Sequence, residues 1–200
     1  EAFSFAERHP RNPASRMIHG AGHAIQAGFV TREPDEEELA VGRRAMREIL
    51  RIEQADWDRP VRADWVQTLD RRLQTCTGDV VLVAHSLGCA LAAHWFDSVA
   101  EQPHRHAAIR GALLVAPPDV ERASAPEAIR NFAPVPERAL PVPAIVVAST
   151  SDPYCGFMRS GLMATRWGAE FVNIGNAGHI NAESGLGAWE AGWALLARWL

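Results

Sequence analysis

The sequence predicts an α/β protein: a three-layer fold with a mostly parallel central sheet. Three observations carry this. Over the last three quarters of the chain, short continuous apolar runs alternate with segments of helical period. Runs without polar alternation suit strands buried on both faces. The run Val80-Val81-Leu82-Val83-Ala84 ends on His85-Ser86-Leu87-Gly88, and a helical pattern begins at once. Strand, sharp turn and helix in direct succession lift a serine out of a sheet edge. Lastly, no internal repeat or low-complexity tract divides the chain, so residues 1–200 are expected to form one domain.

The elements follow in order. Asp35 to Leu50 reads as an amphipathic helix, with acids in the first turn and then Leu39, Ala45, Met46, Ile49 and Leu50. Ile49 to Gln54 reads as a short strand, and Asp56-Trp57-Asp58-Arg59-Pro60 as a turn. Val61 to Leu73 carries Val61, Trp65, Val66, Leu69 and Leu73 at helical spacing. Asp79 to His85 is the buried elbow strand. Leu87 to Ala100 is a helix with Leu87, Ala90, Leu91 and Trp95 on one stripe. Arg110 to Ala116 is a buried strand stopped by Pro117-Pro118. The stretch 117–143 is rich in Pro and Ala, with helix propensity around Ala123 to Phe132 alone. It is the expected pocket wall, and its shortness implies an open site. Ala144 to Ala148 is a strand, Phe157 to Trp167 a helix and Glu170 to Ile174 a strand. Ala188 to Leu200 closes as an amphipathic helix whose Trp189, Trp193, Leu196 and Trp199 read as core.

Composition narrows the function classes. Apolar residues make up 48% and charged residues 22%, values of an ordinary soluble globule. A net charge of -4 predicts neither nucleic-acid binding nor attraction to an anionic membrane. All 20 basic residues are Arg. The three cysteines have no zinc spacing and no disulfide framework, which points to a reducing, cytoplasmic compartment. The chain opens on Glu1 rather than Met, so upstream residues are expected; no secretory pattern or membrane-length apolar stretch is seen.

The chemistry centres on Ser86. A serine hydroxyl is a weak nucleophile at neutral pH and needs a base, which in turn needs an orienting acid. Asp152 follows the strand 144–148 in a Ser-Asp-Pro-Tyr turn, and His179 follows the strand 170–174 in Gly175-Asn176-Ala177-Gly178-His179. Both therefore fall on the carboxyl edge of the sheet with Ser86. The plainer readings are a serine that caps a helix and an Asp152 that organises a turn. Asp119, after Ala116-Pro117-Pro118, is the competing acid. Ala84 stands where the usual elbow has glycine; one extra methyl is expected to be tolerated. His85 is expected to pack or hydrogen-bond within the elbow, and His104 and His106 to be solvated. His19 and His23 are four apart, but Gly20 and Gly22 argue against a helical zinc pair. Cys155 reads as a buried thiol close to Asp152.

Several segments together resemble a known group. They are Val80 to Cys89, Leu113 to Asp119, Phe132-Ala133-Pro134 with Pro136, Ile145 to Tyr154, and Ala177-Gly178-His179-Ile180-Asn181 with Ser184-Gly185. Together with Asp56-Trp57 and Trp65, these are similar to the small single-domain α/β-hydrolases typified by YdeN and the retinoblastoma-binding serine hydrolase. The likeness runs from about Leu50 to Leu200. It implies an α/β-hydrolase fold with little or no lid, the triad order Ser86, Asp152, His179, and no metal or organic cofactor. It also implies that the Leu87 N–H supplies one oxyanion donor, and that the loop after the first family strand supplies the other. Phe29, at the end of Ala24-Ile25-Gln26-Ala27-Gly28-Phe29, is the candidate for that second donor. Met17-Ile18-His19-Gly20-Ala21-Gly22 is its rival.

Residues 1–49 depart from the pattern, and the family's Trp-Gln is absent there. Divergence is one explanation. A displaced reading frame is the other: the permitted codons CTG-GCA-GTC for Leu39-Ala40-Val41, read one base later, encode Trp-Gln. Resequencing the gene distinguishes them.

The expectation is thus a serine hydrolase acting on a small ester, thioester or amide through an acyl-enzyme on Ser86. The rival class is a catalytically weak or inactive α/β-hydrolase-fold protein that acts as a protein-binding module, since fold does not determine function. Acyl transfer to an acceptor other than water is a third.

Overall fold

A computed structural model describes residues 49–200. Residues 51–180 with Trp199 form one compact unit. Its elements are α1 (Arg62–Gln74), β1 (Val80–His85), α2 (Leu87–Ser98), β2 (Ile109–Val115), β3 (Ala144–Ala148), α3 (Phe157–Trp167) and β4 (Glu170–Asn173). The four strands lie in the order β1-β2-β3-β4, every neighbouring pair parallel. Parallel neighbours require crossovers, which α2 and α3 supply between β1 and β2 and between β3 and β4.

Helices α1, α2 and α3 contribute Trp65, Leu69, Trp95, Phe96, Met163 and Trp167 to a core shared with Ala112, Leu114, Ala144 and Val146. Leu113, Val115, Ile145 and Val147 alternate to the opposite sheet face and are buried as well. The central strands β2 and β3 therefore read as unbroken apolar runs, as the sequence predicts. The indole of Trp95 is held by Asp70: Nε1 donates to Oδ1 at 3.0 Å, and Arg105 donates to the same oxygen.

Four expectations need correction. Ile49–Gln54 alternates outward and inward residues but joins no ladder among the described residues, and a strand without a paired neighbour is coil. The elbow strand β1 is not fully buried: Val83 is 45% exposed, and among the described residues the strand's ladder is to β2. Ala123 to Phe132 forms a 3₁₀ segment, Glu127–Phe132, not an α-helix. Pro126 precedes it and Pro134 follows, leaving too few residues for a stable α-helix. Asn131 pins the segment to the start of α1. Its Oδ1 accepts from the Arg62 N–H at 2.7 Å, and its Nδ2 donates to the Pro60 carbonyl at 2.8 Å.

Residues 181–198 and Leu200 group apart from this unit. The fourth correction lies here. The final helix α4 spans Glu190–Leu196, followed by a 3₁₀ turn at Ala197–Trp199. Trp189 has left-handed backbone at φ 47°, so the helix cannot extend back to Ala188. Trp193 is exposed rather than core. The ring of Trp189 lies over Gly192, where a Cβ would come within 2.2 Å of it, so only glycine fits that position. Asn181 and Ser184 form a reciprocal capping box around the short 3₁₀ turn Ala182–Ser184.

Candidate active site

Ser86 follows β1 directly and precedes the first residue of α2. Its backbone is forced to φ 53°, ψ −127°, a conformation that costs a non-glycine residue about 1–3 kcal/mol. Hydrogen bonds hold the strained turn. The Ser86 N–H donates to the Val115 carbonyl at 2.9 Å, continuing the ladder, and the Cys89 N–H donates to the Ser86 carbonyl at 2.8 Å. Beneath the turn the wholly buried Cys89 thiol points at the carbonyls of Ala84 and Val115. Burial pushes that thiol well above its ordinary pKa, so it stays protonated and inert. The Ala84 methyl is accommodated: even a Cβ added at Gly88 would meet it at 3.5 Å, ordinary contact.

Asp152 lies in the loop after β3 and His179 in the loop after β4, on the same sheet edge as Ser86. The structure brings the three side chains together. His179 Nε2 is 2.8 Å from Ser86 Oγ, and His179 Nδ1 is 2.9 Å and 3.0 Å from the two oxygens of Asp152. Asp152 Oδ1 also accepts from the Tyr154 N–H at 2.8 Å. The side chains of His179 and Asp152 are 9% and 3% exposed, so their hydrogen bonds are shielded from competing water. Asp119 is engaged elsewhere. Its Oδ1 accepts from the Glu121 N–H and lies 3.8 Å from Arg159 Nε.

Three features around His179 were not legible in the sequence. Ser149 Oγ accepts from the Ala177 N–H at 2.9 Å, and Ser151 Oγ accepts from the Gly178 N–H at 3.0 Å. His85, expected to stay within the elbow, instead places Nε2 at 2.8 Å from the His179 carbonyl. Burial lowers its pKa, against the opposing effect of that bond. The exposed Tyr154 sets its ring edge-on against His179 at 4.5 Å, with the Arg122 guanidinium 5.8 Å from the Tyr154 ring centre. The repeated Ser-x-Ser before Asp152 was the one available signal, since hydroxyls there can tie down a neighbouring loop.

Cys155 is buried as expected, with the Ser160 hydroxyl 3.2 Å from its sulfur, and burial raises its pKa. Phe29, Met17–Gly22, His19, His23 and most of the Asp35–Leu50 helix lie outside the described residues. The Leu87 N–H opens α2, where the first amides have no intrahelical acceptor. Among the described residues no group of three or more His, Cys, Asp or Glu could hold a metal ion. No described helix is long and apolar enough to cross a membrane.

A serine on a strand-to-helix turn, met by a histidine from the loop after β4 that an aspartate from the loop after β3 holds in turn, is the α/β-hydrolase arrangement. The sequence model of the serine hydrolase family matches residues 24–198. The chain belongs to the serine hydrolase family. Membership of that family supports hydrolase function. Among solved structures, a YdeN-like hydrolase from Pectobacterium atrosepticum is 34% identical. The match covers 84% of this chain and 85% of that one, with a TM-score of 0.64. The ydeN gene product of B. subtilis is 21% identical over 70% of this chain and 76% of its own, with a TM-score of 0.53. A hydrolase from Agrobacterium vitis is 11% identical over 70% and 69%, with a TM-score of 0.52. The last two show the α/β-hydrolase fold alone. No curated protein matches the chain.

Proposed function

We propose that this serine hydrolase cleaves a small ester, thioester or amide through an acyl-enzyme on Ser86. The observation that carries the reading is the continuous chain Ser86 Oγ, His179 Nε2, His179 Nδ1, Asp152, with every step at 2.8–3.0 Å. His179 Nε2 takes the Ser86 proton as Oγ attacks the substrate carbonyl. The tetrahedral oxyanion is held by the Leu87 N–H and by a second donor from the N-terminal segment, for which Phe29 is the candidate. His179 then gives its proton to the leaving group, which departs. Water, deprotonated by His179, releases the acid and restores Ser86. Asp152 keeps the Nδ1 proton in place and stabilises the imidazolium without taking its proton. None of these steps uses a metal or organic cofactor.

The exposed Tyr154 ring borders the proposed site beside His179, and Asp119 and Arg122 of the stretch 117–143 hold the Pro153-Tyr154 turn.

The test is intact mass after reaction with a fluorophosphonate, a probe that phosphonylates activated serines. One adduct is expected on the wild type, none on Ser86→Ala, and a strongly slowed one on His179→Ala. An unlabelled, folded wild type would overturn the hydrolase reading in favour of a binding protein that retains the fold. Acceptor competition during turnover separates hydrolysis from acyl transfer.

A further inference from the structure

Resting on the triad reading above, we propose that His85 is a positioning residue whose Nε2–H holds the His179 backbone carbonyl and thereby fixes the imidazole that serves Ser86. The need for such a hold is visible in the loop. His179 stands between Gly178 at φ 54° and Ile180 at φ 49°, two left-handed residues in succession around a residue whose ring must be placed to a fraction of an ångström.

The backbone on either side of His179 is pinned from two different loops. On its N-terminal side, the amides of Ala177 and Gly178 donate to Ser149 and Ser151, which belong to the loop that carries Asp152. On its C-terminal side, the carbonyl of His179 meets His85 Nε2 at 2.8 Å, and His85 is the residue immediately before Ser86. The serines therefore register the base against its acid, and His85 registers it against the nucleophile. The two rings are 4.8 Å apart at 57°, so His85 also limits tilting of the His179 ring.

The chemistry of the contact determines which proton His85 carries. A carbonyl oxygen only accepts, so Nε2 of His85 must be a protonated nitrogen, and in the neutral ring Nδ1 is then the bare one. A neutral ring suits the site. A cation there would oppose the imidazolium that His179 becomes during acyl transfer, and burial lowers the His85 pKa, which disfavours that charge.

The experiment measures the fluorophosphonate labelling rate and the thermal midpoint of His85→Leu and His85→Gln, with Ser86→Ala and His179→Ala as references. It adds the ¹⁵N resonances of wild-type His85. Leucine fills the space without a donor. The glutamine amide places an N–H where Nε2 stood. We expect His85→Leu to label about 10- to 100-fold more slowly, the scale of a misplaced catalytic group. His85→Gln should recover most of the rate at the same thermal midpoint as His85→Leu. The wild-type ring should be the Nε2–H tautomer.

A wild-type rate in His85→Leu, a glutamine variant no faster than leucine, or a His85 proton on Nδ1 would each overturn the proposal. If the leucine variant does not fold, the glutamine rate and the tautomer decide. Labelling that depends on Ser86 and His179 but ignores His85 sinks this proposal alone. A wild type that does not label, or labelling that survives Ser86→Ala, removes the triad reading and this inference with it.

Discussion

Replacing Asp152 by Asn exchanges one carboxylate oxygen for an NH₂ group and keeps the shape. Which oxygen is lost follows from the hydrogen bonds. Asp152 Oδ1 accepts from the Tyr154 N–H at 2.8 Å, so the amide oxygen must stay on that side. The NH₂ then takes the place of Oδ2, 2.9 Å from His179 Nδ1. The retained oxygen stays 3.0 Å from Nδ1, but the closer NH₂ repels an Nδ1–H and donates to a bare Nδ1, so the balance shifts toward the proton on Nε2. Nε2 is the nitrogen 2.8 Å from Ser86 Oγ, and once protonated it cannot take the serine proton. This reversal of tautomer is worth about 10⁴-fold in a Ser-His-Asp enzyme, or ~5.4 kcal/mol of barrier at ~1.36 kcal/mol per decade. Folding should change little, because the Tyr154 bond survives. The assay is the second-order rate of fluorophosphonate labelling, with the thermal midpoint as control. Asp119→Asn serves as comparison, since its carboxylate faces Glu121 and Arg159. Labelling of Asp152→Asn within about tenfold of wild type, ~1.4 kcal/mol, would refute the reasoning. So would an equal loss in Asp119→Asn.

Other consequences follow from the packing. Asp70→Ala strips the acceptor from the buried Trp95 indole and from Arg105 and should cost about 1–3 kcal/mol in urea unfolding. Burial alone would raise the Asp70 pKa, but the bonds from Trp95 and Arg105 outweigh it and leave it lowered. Its contribution is therefore complete above the unfolded value near pH 4 and lost as pH falls through the lower folded value. Asp70→Asn should accordingly flatten the acid limb of the stability profile. With a thiol reagent, the partly exposed Cys76 should react first, and the buried Cys89 and Cys155 only on unfolding. A fast reaction at Cys155 would contradict its burial. Gly111→Ala would put a Cβ 2.2 Å from the Trp199 ring and should destabilise by about 1–3 kcal/mol in the same urea assay.

Much of the fold was legible because local pattern and tertiary environment agree. From Val61 to Asn173, each α-helix and strand of the main unit appears within two residues of where periodicity put it. The elbow was legible for a different reason: a strand that turns sharply into a helix leaves a short, recognisable string. The misreadings occur where a partner distant in sequence decides. Ile49–Gln54 has the alternation of a strand without a described neighbour to pair with. Glu127–Phe132 has helix-forming residues, yet prolines crowd it and Asn131 ties it to the start of α1. The last helix begins late because Trp189 adopts left-handed backbone.

By itself the sequence determined the parallel α/β class, the candidate nucleophile and the carboxyl-edge positions of Asp152 and His179. Each of these follows from short-range apolar runs, turn residues and element order. The sequence favoured Asp152 over Asp119 as the acid, and the tertiary structure shows Asp152 against His179 Nδ1 with Asp119 turned to Glu121 and Arg159. Only the tertiary structure showed that Ser149, Ser151 and His85 hold the backbone around that histidine. Ser149 and Ser151 meet that loop because β3 and β4 are adjacent, whereas His85, on β1 at the other end of the strand order, meets it through the path of the loop after β4. Which of two carboxylates lies within 3 Å of a ring nitrogen depends on the paths of loops, and loop paths are set by hydrogen bonds to residues far away in the chain.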